Sequence, residues 1–286
     1  MKHALPLSFY KMSGTGNTFT LIDARKSSVW SEIEKKSKIV RPEFAKVICN
    51  EVTGLGTDGV LFIQEGSEGF DYNWDFYNSD GSTAEMCGNA ARCAAVFCHE
   101  DLTAGKLKSF RFKTGAGLVE AEILSDGRVK VHMPEARVIN ADLELKTKSS
   151  GATEKFVFVN TGVPHAVQKI QSFEDIEGMK DLAREVRSHA DLMPAGTNVT
   201  FYTEEAPDKI LAVTFERGVE DYTLACGTGA VAAALAAHLQ TKKNLIQVTM
   251  PGGPLEVTFV PGSNRPLMVG EAHYIGEFQM NTEVLK

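Results

Sequence analysis

The chain has 286 residues, of which 43% are hydrophobic and 23% are charged. This composition excludes a disordered or fibrous protein, and the length favours two domains of comparable size or one large domain. The formal net charge is −7 without a long run of one sign, which argues against a nucleic-acid-binding surface and for a small-molecule partner.

Neither a membrane span nor a signal peptide is recognisable. The longest strongly apolar stretch, around residues 230–237, is much shorter than the roughly 20 residues that a membrane helix needs. We therefore expect a cytoplasmic protein that does not bind membranes. An odd number of cysteines in a long chain argues against a secreted disulfide framework. We expect free thiols at Cys49, Cys87, Cys93, Cys98 and Cys226.

In the first half of the chain, predicted strands alternate with glycine-rich turns. Alternating apolar residues predict strands over 7–12, 18–23, 60–64, 70–77, 107–112, 116–123 and 128–132. Helical spacing predicts a helix over 41–50 and another over 84–97, with Cys87 near the start of the second. The turn residues 78–82 precede that helix, and Pro134 closes this half.

The second half repeats this order. Strands are predicted over 155–160, 166–170, 211–217, 247–260 and 266–274, the last two around the Pro251–Gly253 turn. Helices are predicted over 181–189 and from the Ala225–Gly229 segment through His238, with a turn over 218–224 before the second helix.

The repeat predicts the architecture. The Cys-Gly pairs at Cys87 and Cys226 are 139 residues apart, close to half the chain. We predict an α+β fold of two pseudo-symmetric domains, each a bent, mostly antiparallel sheet around a central helix, with the active site in the cleft between them. The predicted domains are 1–133 with a C-terminal strand at about 270–286, and 134–269.

The two Cys-Gly pairs suggest acid/base chemistry. Each places a thiol at or just before a helix N-terminus, where free N–H groups and the helix dipole lower the pKa of a thiol and can bind a carboxylate. Two opposed acid/base groups suit inversion at a carbon that bears a proton. A free cysteine is more often a buried packing residue, and we expect that role for Cys49, Cys93 and Cys98.

Other chemistries find less support. Cys93 and Cys98 with His99 do not have the usual CxxC spacing, so no metal site is predicted. The sequence has no P-loop, no dinucleotide-binding GxGxxG between a strand and a helix, and no sign of a Schiff-base lysine. A racemase of this kind would use no cofactor.

Several segments resemble the diaminopimelate epimerase family. Residues 78–93 (NSDGSTAEMCGNAARC) closely resemble its first active-site segment, and Glu216–Gly218 with Ala225–Ala230 resemble the second. Further matches span the chain: Lys11–Asn17 with the amino-terminal signature, Gly162–His165 with the inter-domain corner, and Pro251–Gly253 and Gly270–Ala272 with the closing strands. The resemblance implies a homodimeric, pyridoxal-independent enzyme that interconverts LL- and meso-diaminopimelate for lysine and peptidoglycan biosynthesis.

The resemblance also implies residue roles. Cys87 and Cys226 would be the acid/base thiols, and His165 and Glu216 would adjust their protonation. The distal amino and carboxylate groups of the substrate would be held by Asn17, Asn78, Asn198, Glu216 and Arg217. Backbone amides for the reacting carboxylate would come from Gly88, Asn89, Gly227 and Thr228.

Judged from the residues alone, these roles have structural alternatives. Asn17 and Asn78 are also typical turn formers, His165 can be a corner histidine without a catalytic part, and Glu216 with Arg217 can be a surface ion pair. The chain also departs from the family pattern. Val163 stands where many members have Asn, Gly59 where some have Gln, and Tyr222 where Glu is frequent.

Other functions remain open at this point. The chain can be a related racemase for proline or hydroxyproline, or a phenazine-pathway-like isomerase, although the two cysteines argue against the last. From other classes, it can be an amino-acid-binding protein without turnover, or a redox sensor in which Cys87 and Cys226 form a reversible disulfide.

Overall fold

The structure is a computed structural model that describes residues 7–36 and 39–280. The chain divides into two compact units. The first comprises the described residues up to Val131 together with those from Gly270 to Met280, and the second comprises His132–Val269. Segments 1–6 and 281–286 of the predicted first domain lie outside the described residues. No helix in these ranges is long and apolar enough to cross a membrane.

The first unit is a sheet with three helices. Its strands are β1 (Leu7–Gly14), β2 (Asn17–Asp23), β3 (Gly59–Glu65), β4 (Tyr72–Asn78), β5 (Ser109–Thr114), β6 (Gly117–Ile123), β7 (Val129–His132) and β17 (His273–Met280). Its helices are α1 (Val29–Lys36), α2 (Arg41–Ile48) and α3 (Gly88–Phe97), and a π-helical turn, Cys98–Leu102, follows α3.

The strands of the first unit pair in the order β17-β1-β2-β3-β4-β5-β6-β7. The β2–β3 and β4–β5 pairs are parallel, and the other neighbours are antiparallel. A two-residue turn joins β1 to β2, with Thr15 at φ 53° and Gly16 at φ 88°. Both residues are in the left-handed region, as tight hairpins with right-handed strand twist require.

Helix α3 is the central helix of the first unit. All ten of its residues are buried, and it packs against β1, β2, β3 and β6. A helix that is buried all round presents small residues to its neighbours, and the sequence of α3 (GNAARCAAVF) does so at most positions. The other side of the sheet is covered by α1 and α2, where the Trp30 ring lies 4.7 Å from Phe44 and 4.8 Å from Phe62.

The second unit has the same kind of structure. Its strands are β8 (Arg137–Lys146), β9 (Thr153–Asn160), β10 (Pro164–Lys169), β11 (Asn198–Ala206), β12 (Lys209–Glu216), β13 (Asp221–Thr223), β14 (Leu245–Met250), β15 (Gly253–Thr258) and β16 (Leu267–Gly270). Its helices are α4 (Lys180–Arg187) and α5 (Gly227–Thr241). Helix α5 is the buried central helix, and α4 packs on β11 and β12.

The strand pairing of the second unit repeats that of the first. The order β8-β9-β10-β11-β12-β14-β15-β16 has its two parallel pairs at β10–β11 and β12–β14, and the remaining neighbours are antiparallel. Helices connect the parallel strands in both units. Strands β2, β3 and β4 therefore correspond to β10, β11 and β12, and α3 corresponds to α5.

This pattern confirms the predicted fold class of two pseudo-symmetric α+β halves, each with a mostly antiparallel sheet and a central helix. Several predicted elements were wrong in detail. Helix α3 begins at Gly88 rather than at residue 84, because residues 83 and 84 extend beside β4 through the Tyr77–Thr83 bridge and the Ala84 N–H to Phe76 carbonyl bond. The predicted turn 218–224 contains β13, and the predicted strand 266–274 is interrupted between β16 and β17.

Candidate active site

The first candidate half-site lies at the start of α3. Cys87 is the N-cap of α3, with extended backbone at φ −141° and ψ 127°, and its carbonyl accepts from the Ala91 N–H at 2.9 Å. The turn before it is built locally, since the Gly81 N–H bonds to the Asn78 carbonyl and Gly81 has a φ of 81°. The predicted position of this thiol at a helix N-terminus is confirmed.

Two predicted binding residues meet beside Cys87. The Asn89 Nδ2 amide donates to Asn17 Oδ1 at 2.7 Å, which ties the first turn of α3 to the start of β2. Asn89 is fully buried, whereas Asn17 is half-buried. Gly14 allows this close approach, because a Cβ atom there would lie 2.7 Å from the Asn89 carbonyl oxygen.

Asn78 occupies a different setting. Its Nδ2 amide donates to Ser82 Oγ at 3.0 Å, and its backbone N–H bonds to the Ser82 carbonyl at 2.9 Å. The side chain thus stabilises its own turn at the end of β4. The structure shows no bond from Asn78 to Asn17 or Asn89 among the described contacts.

The remaining cysteines of the first unit are buried. Burial raises the pKa of Cys49 to about 11 and that of Cys93 to about 12, and it raises the pKa of Cys98 as well. Thiols of this kind are packing residues at neutral pH. His99 Nδ1 contacts the Leu107 carbonyl, and within the described ranges no three His, Cys, Asp or Glu side chains gather as a metal site.

The second candidate half-site lies at the start of α5. Cys226 is the N-cap of α5, with φ −127° and ψ 105°, and its carbonyl accepts from the Ala230 N–H at 2.8 Å. Its Sγ lies 3.4 Å from Thr228 Oγ1. The Thr228 carbonyl in turn accepts from Thr161 Oγ1 at 2.9 Å, which ties the first turn of α5 to the chain before β10.

A buried polar network extends from Thr228 into the sheet. Thr228 Oγ1 lies 3.1 Å from His165 Nε2, and His165 Nδ1 lies 3.0 Å from Thr200 Oγ1. Thr200 Oγ1 lies 3.0 Å from Thr214 Oγ1. Burial, with a smaller contribution from the Arg217 charge, lowers the pKa of His165 to about 3. The imidazole is therefore neutral near pH 7.

The network also assigns the tautomer of His165. The backbone N–H of Arg217 donates to Asn198 Oδ1 at 2.8 Å, which fixes the orientation of the Asn198 amide. Its Nδ2 group then faces His165 Nε2 at 3.3 Å. Since an amide nitrogen donates, Nε2 is the acceptor and the ring proton is on Nδ1, where it is donated to Thr200. The Nε2 lone pair consequently faces Asn198 and Thr228.

Glu216 and Arg217 lie at the end of β12. Glu216 is half-buried, and burial raises the pKa of its carboxyl, an effect that the Thr223 hydroxyl partly offsets. The Arg217 side chain is exposed and donates to the Ala195 carbonyl, while its backbone N–H holds Asn198. These two residues therefore lie beside the His165 network, and among the described residues no ion pair joins them.

The structure shows what surrounds each of the three positions that depart from the family pattern. Gly59 starts β3, and a Cβ atom there would lie 2.6 Å from the Phe76 ring and 2.8 Å from the Tyr77 carbonyl oxygen, so no side chain fits without movement. Val163 is half-buried, and its carbonyl accepts from the Thr161 N–H. Tyr222 donates to the Ile176 carbonyl at 3.0 Å.

Sequence reasoning missed several buried polar residues of both half-sites. They are Thr15, Arg92, Thr161, Thr200 and Thr214. Arg92 had a visible signal, because it is the one charged residue within the small and apolar α3 sequence, four positions after Gly88. The threonines had none, since their partners lie on other strands.

Comparisons with known proteins agree with this geometry. The family model described as "Diaminopimelate epimerase" matches residues 9–139 and 157–275. The chain is 36% identical over 290 residues to the diaminopimelate epimerase of Aquifex aeolicus (strain VF5), covering 98% of this chain and 100% of the relative. It is 39% identical over 249 residues to that of Hydrogenobaculum sp. (strain Y04AAS1), covering 86% and 88%.

Solved structures show the same fold at low sequence identity. A hydroxyproline epimerase from Agrobacterium vitis with bound trans-4-hydroxy-L-proline matches with a TM-score of 0.68 at 16% identity, covering 98% of this chain and 92% of that one. A phenazine biosynthesis protein from Bacillus anthracis matches with a TM-score of 0.68 at 12% identity, covering 96% and 99%.

Proposed function

Because this chain belongs to the diaminopimelate epimerase family of isomerases, we propose that it interconverts LL- and meso-2,6-diaminopimelate through the thiols of Cys87 and Cys226, without pyridoxal phosphate. The observation that carries the mechanism is the repeated placement of a cysteine as the N-cap of a buried central helix in each half. A packing role alone does not explain why both cysteines occupy this position.

The proposed reaction is a two-base inversion. One thiolate removes the α-proton and becomes a thiol, while the other thiol delivers its proton to the opposite face of the α-carbon and becomes a thiolate. The α-carbanion is the species between the two transfers. The enzyme gains no net proton or electron, but its two thiols have exchanged protonation states. It can therefore convert the product isomer back at once, or it exchanges thiol protons with solvent before it takes another molecule of the first isomer.

Helix N-termini would stabilise the charge that develops in this reaction. The backbone amides of Gly88 and Asn89 start α3, and those of Gly227 and Thr228 start α5. Such amides bind carboxylates, and electron density that moves from the α-carbon into the carboxylate in the transition state strengthens those bonds. These four amides are our proposed site for the reacting carboxylate.

His165 would act on Cys226 through Thr228. Because His165 Nε2 accepts from the Thr228 hydroxyl, a lone pair of Thr228 Oγ1 can accept from the Cys226 thiol when that thiol carries its proton. Glu216, whose carboxyl pKa burial raises, is the second group that we propose to adjust thiol protonation in this half.

The distal end of the substrate requires groups of both polarities. We propose that Glu216 accepts from the distal ammonium, and that Arg217, Asn17, Asn78 and Asn198 contact the distal carboxylate or its neighbours. The exposed Arg217 side chain can donate to a carboxylate and the adjacent Glu216 carboxylate can accept from an ammonium, which supports opposite roles for these residues.

The first experiment is α-proton exchange in heavy water. The reduced protein is incubated with LL-diaminopimelate without pyridoxal phosphate, and loss of the α-proton is followed by NMR alongside chiral separation. Exchange with formation of the meso isomer supports the proposal. Exchange of proline or hydroxyproline instead supports the related racemase, and binding without exchange in reduced protein supports an amino-acid-binding protein.

Family membership also supports a wider biological setting. We propose a biosynthetic role in forming lysine and the diaminopimelate of peptidoglycan precursors, in the cytoplasm, with a homodimer as the assembled form. Light scattering after size-exclusion chromatography tests the dimer, since it separates a 31.1 kDa monomer from a particle of twice that mass.

A further inference from the structure

Arg92 is a fully buried cation at the centre of the first unit. It has no exposed surface, and its guanidinium donates to four uncharged oxygens. Nη2 donates to Thr15 Oγ1 at 2.5 Å and to Asn89 Oδ1 at 2.8 Å. Nη1 donates to the Gly88 carbonyl at 3.3 Å, and Nε to the Glu271 carbonyl at 3.1 Å. One side chain thus joins the β1–β2 turn, the first turn of α3 and the segment before β17.

These bonds fix the orientation of two side-chain amides in series. A guanidinium can only donate, so the Asn89 oxygen faces Arg92 and the Asn89 Nδ2 group faces Asn17. Asn89 Nδ2 donates to Asn17 Oδ1 at 2.7 Å, so the Nδ2 group of Asn17 is turned away from Asn89. No described residue is recorded as accepting a hydrogen bond from that Nδ2 group.

We propose that Arg92 is a positioning residue of the first half-site, whose guanidinium fixes the amides of Asn89 and Asn17 so that Asn17 presents an N–H donor to a carboxylate oxygen of the ligand. This inference rests on the proposed function for the identity of the ligand. It assigns Asn17 to a carboxylate and leaves the ammonium of the substrate to other residues.

Comparison with the second unit indicates that the fold itself does not need a cation at this position. Val231 stands five residues after Cys226, as Arg92 stands five residues after Cys87, and Val231 is also fully buried. Burying a guanidinium costs free energy, and burial lowers the pKa of Arg92 to about 10. A cation kept at that cost among uncharged partners indicates a role other than packing.

Lysine cannot replace this arrangement. The guanidinium reaches acceptors on three segments with a rigid planar fork, whereas an ammonium is a point donor on a flexible stem. Arg92→Lys therefore keeps the charge and loses the fixed geometry. Asn89→Asp keeps a partner for Arg92 and removes the donor that holds Asn17, so the Asn17 amide is expected to reverse.

A double-mutant cycle tests the proposal. We expect Arg92→Lys, Asn89→Asp and Asn17→Ala each to raise the KM for diaminopimelate about tenfold, with a smaller change in kcat, because each removes one donated hydrogen bond to the ligand. If Arg92 acts through Asn17, Arg92→Lys adds little to Asn17→Ala. Multiplied effects in the double variant, or an unchanged KM in Arg92→Lys, would overturn the proposal.

A second measurement is independent of turnover. In ¹⁵N-labelled protein, the Asn89 Nδ2 proton that bonds to Asn17 should exchange slowly with solvent, and Arg92→Lys should speed this exchange and shift the side-chain amide signals of Asn17. The control Arg25→Lys changes a partly exposed arginine of the same unit that is paired with Asp23, and it should leave these signals and KM unchanged.

This measurement separates the two proposals. If amide exchange depends on Arg92 but the protein does not turn over diaminopimelate, the proposed substrate is rejected and the positioning role stands. If Arg92→Lys changes neither the Asn89 exchange nor the Asn17 amide signals, the positioning role is rejected, whatever the substrate. If Arg92→Lys fails to fold, Asn89→Asp decides the outcome by both readouts.

Discussion

The two half-sites share a backbone and differ in their side chains. In each, the residue two positions after the cysteine bonds to a residue at the start of the corresponding strand, β2 or β10. The pair is Asn89 with Asn17 in the first half, and Thr228 with His165 in the second. The two halves therefore make this contact at the same position of the fold, but with different residue types.

The electrostatic surroundings differ in the same way. A permanent cation, Arg92, lies within the first half and interacts favourably with a negative charge on Cys87. In the second half, neutral His165 contacts Thr228, and Glu216, whose carboxyl pKa burial raises, lies at the end of β12. The two cysteines therefore have different polar surroundings, with a buried cation in the first half and a neutral hydrogen-bonded network in the second.

The strongest test of this comparison is removal of each thiol. Cys87→Ser and Cys226→Ser should each lower epimerisation by about 10³-fold or more, because a serine hydroxyl is a far weaker acid than a thiol. The initial rate of α-proton exchange is measured separately with the LL and the meso isomer. Each variant should slow the exchange of one isomer more than that of the other.

The matched control for these variants is Cys49→Ser. Cys49 is buried against the Thr57 hydroxyl at 3.3 Å, outside both half-sites, and its replacement should leave turnover within about twofold. Cysteine variants that epimerise like the control would remove the basis of the two-thiol mechanism.

Replacing His165 should separate the two thiols. We expect His165→Gln to lower kcat about 10²-fold, the usual size of an acid/base contribution, and to change the pH dependence of Cys226 alkylation by iodoacetamide. Cys87 alkylation should keep its pH profile, because the His165 network lies entirely in the second unit. His238→Gln, at a half-buried ring stacked on Phe259, is the control. Equal changes at both thiols would contradict the comparison.

Much of this fold could be predicted from the sequence because the periodicity is local. The N-cap positions of Cys87 and Cys226 follow from a turn before each cysteine and glycine with small residues after it, and both are confirmed. Strand β8 was missed because eight of its ten residues are exposed and its register shifts twice, so it shows no alternation. Strand β11 was missed because it buries Thr200 within the sheet.

The side-chain networks could not be predicted, since their partners are distant in sequence. Arg92 bonds to Thr15 across 77 residues, and His165 bonds to Thr200 across 35. Strand pairing decides which side chains meet, and a change of register by one residue would turn each of them to the other face. The residue types at Asn17 and His165 were enough to predict polar sites. Which group donates and which accepts in each network could be assigned only once the strand pairing was known.

Two glycines test how closely each central helix must pack. A Cβ atom at Gly14 would lie 2.7 Å from the Asn89 carbonyl oxygen, and one at Gly229 would lie 2.1 Å from Thr214 Oγ1. We expect Gly14→Ala and Gly229→Ala each to lower the free energy of unfolding by about 2–3 kcal/mol through overpacking, measured by urea denaturation. An unchanged midpoint would mean that the helix can shift away from its sheet without cost.

The buried imidazole predicts a pH dependence of stability in one half. Burial lowers the pKa of His165 to about 3, from 6.5 in an unfolded chain, so below pH 6.5 the unfolded state binds a proton that the folded state does not. Stability is therefore lost as the pH falls from 6.5 towards 3, with a loss of about 2 kcal/mol by pH 5. Urea denaturation at pH 7 and pH 5 measures the free energy of unfolding of the wild type and of His165→Gln. The decrease between the two pH values should be larger in the wild type.

The smallest expected effect concerns Tyr222, in the segment that gives the second half its extra strand, β13. Its hydroxyl donates to the Ile176 carbonyl, and its ring packs edge-on against Phe215 at 5.8 Å and beneath the Lys180 ammonium at 5.6 Å. These contacts occupy the side chain, so its departure from the family pattern is structural. Tyr222→Phe should cost about 1 kcal/mol of stability and leave KM and kcat unchanged. A raised KM at unchanged stability would show instead that Tyr222 has taken over a substrate contact.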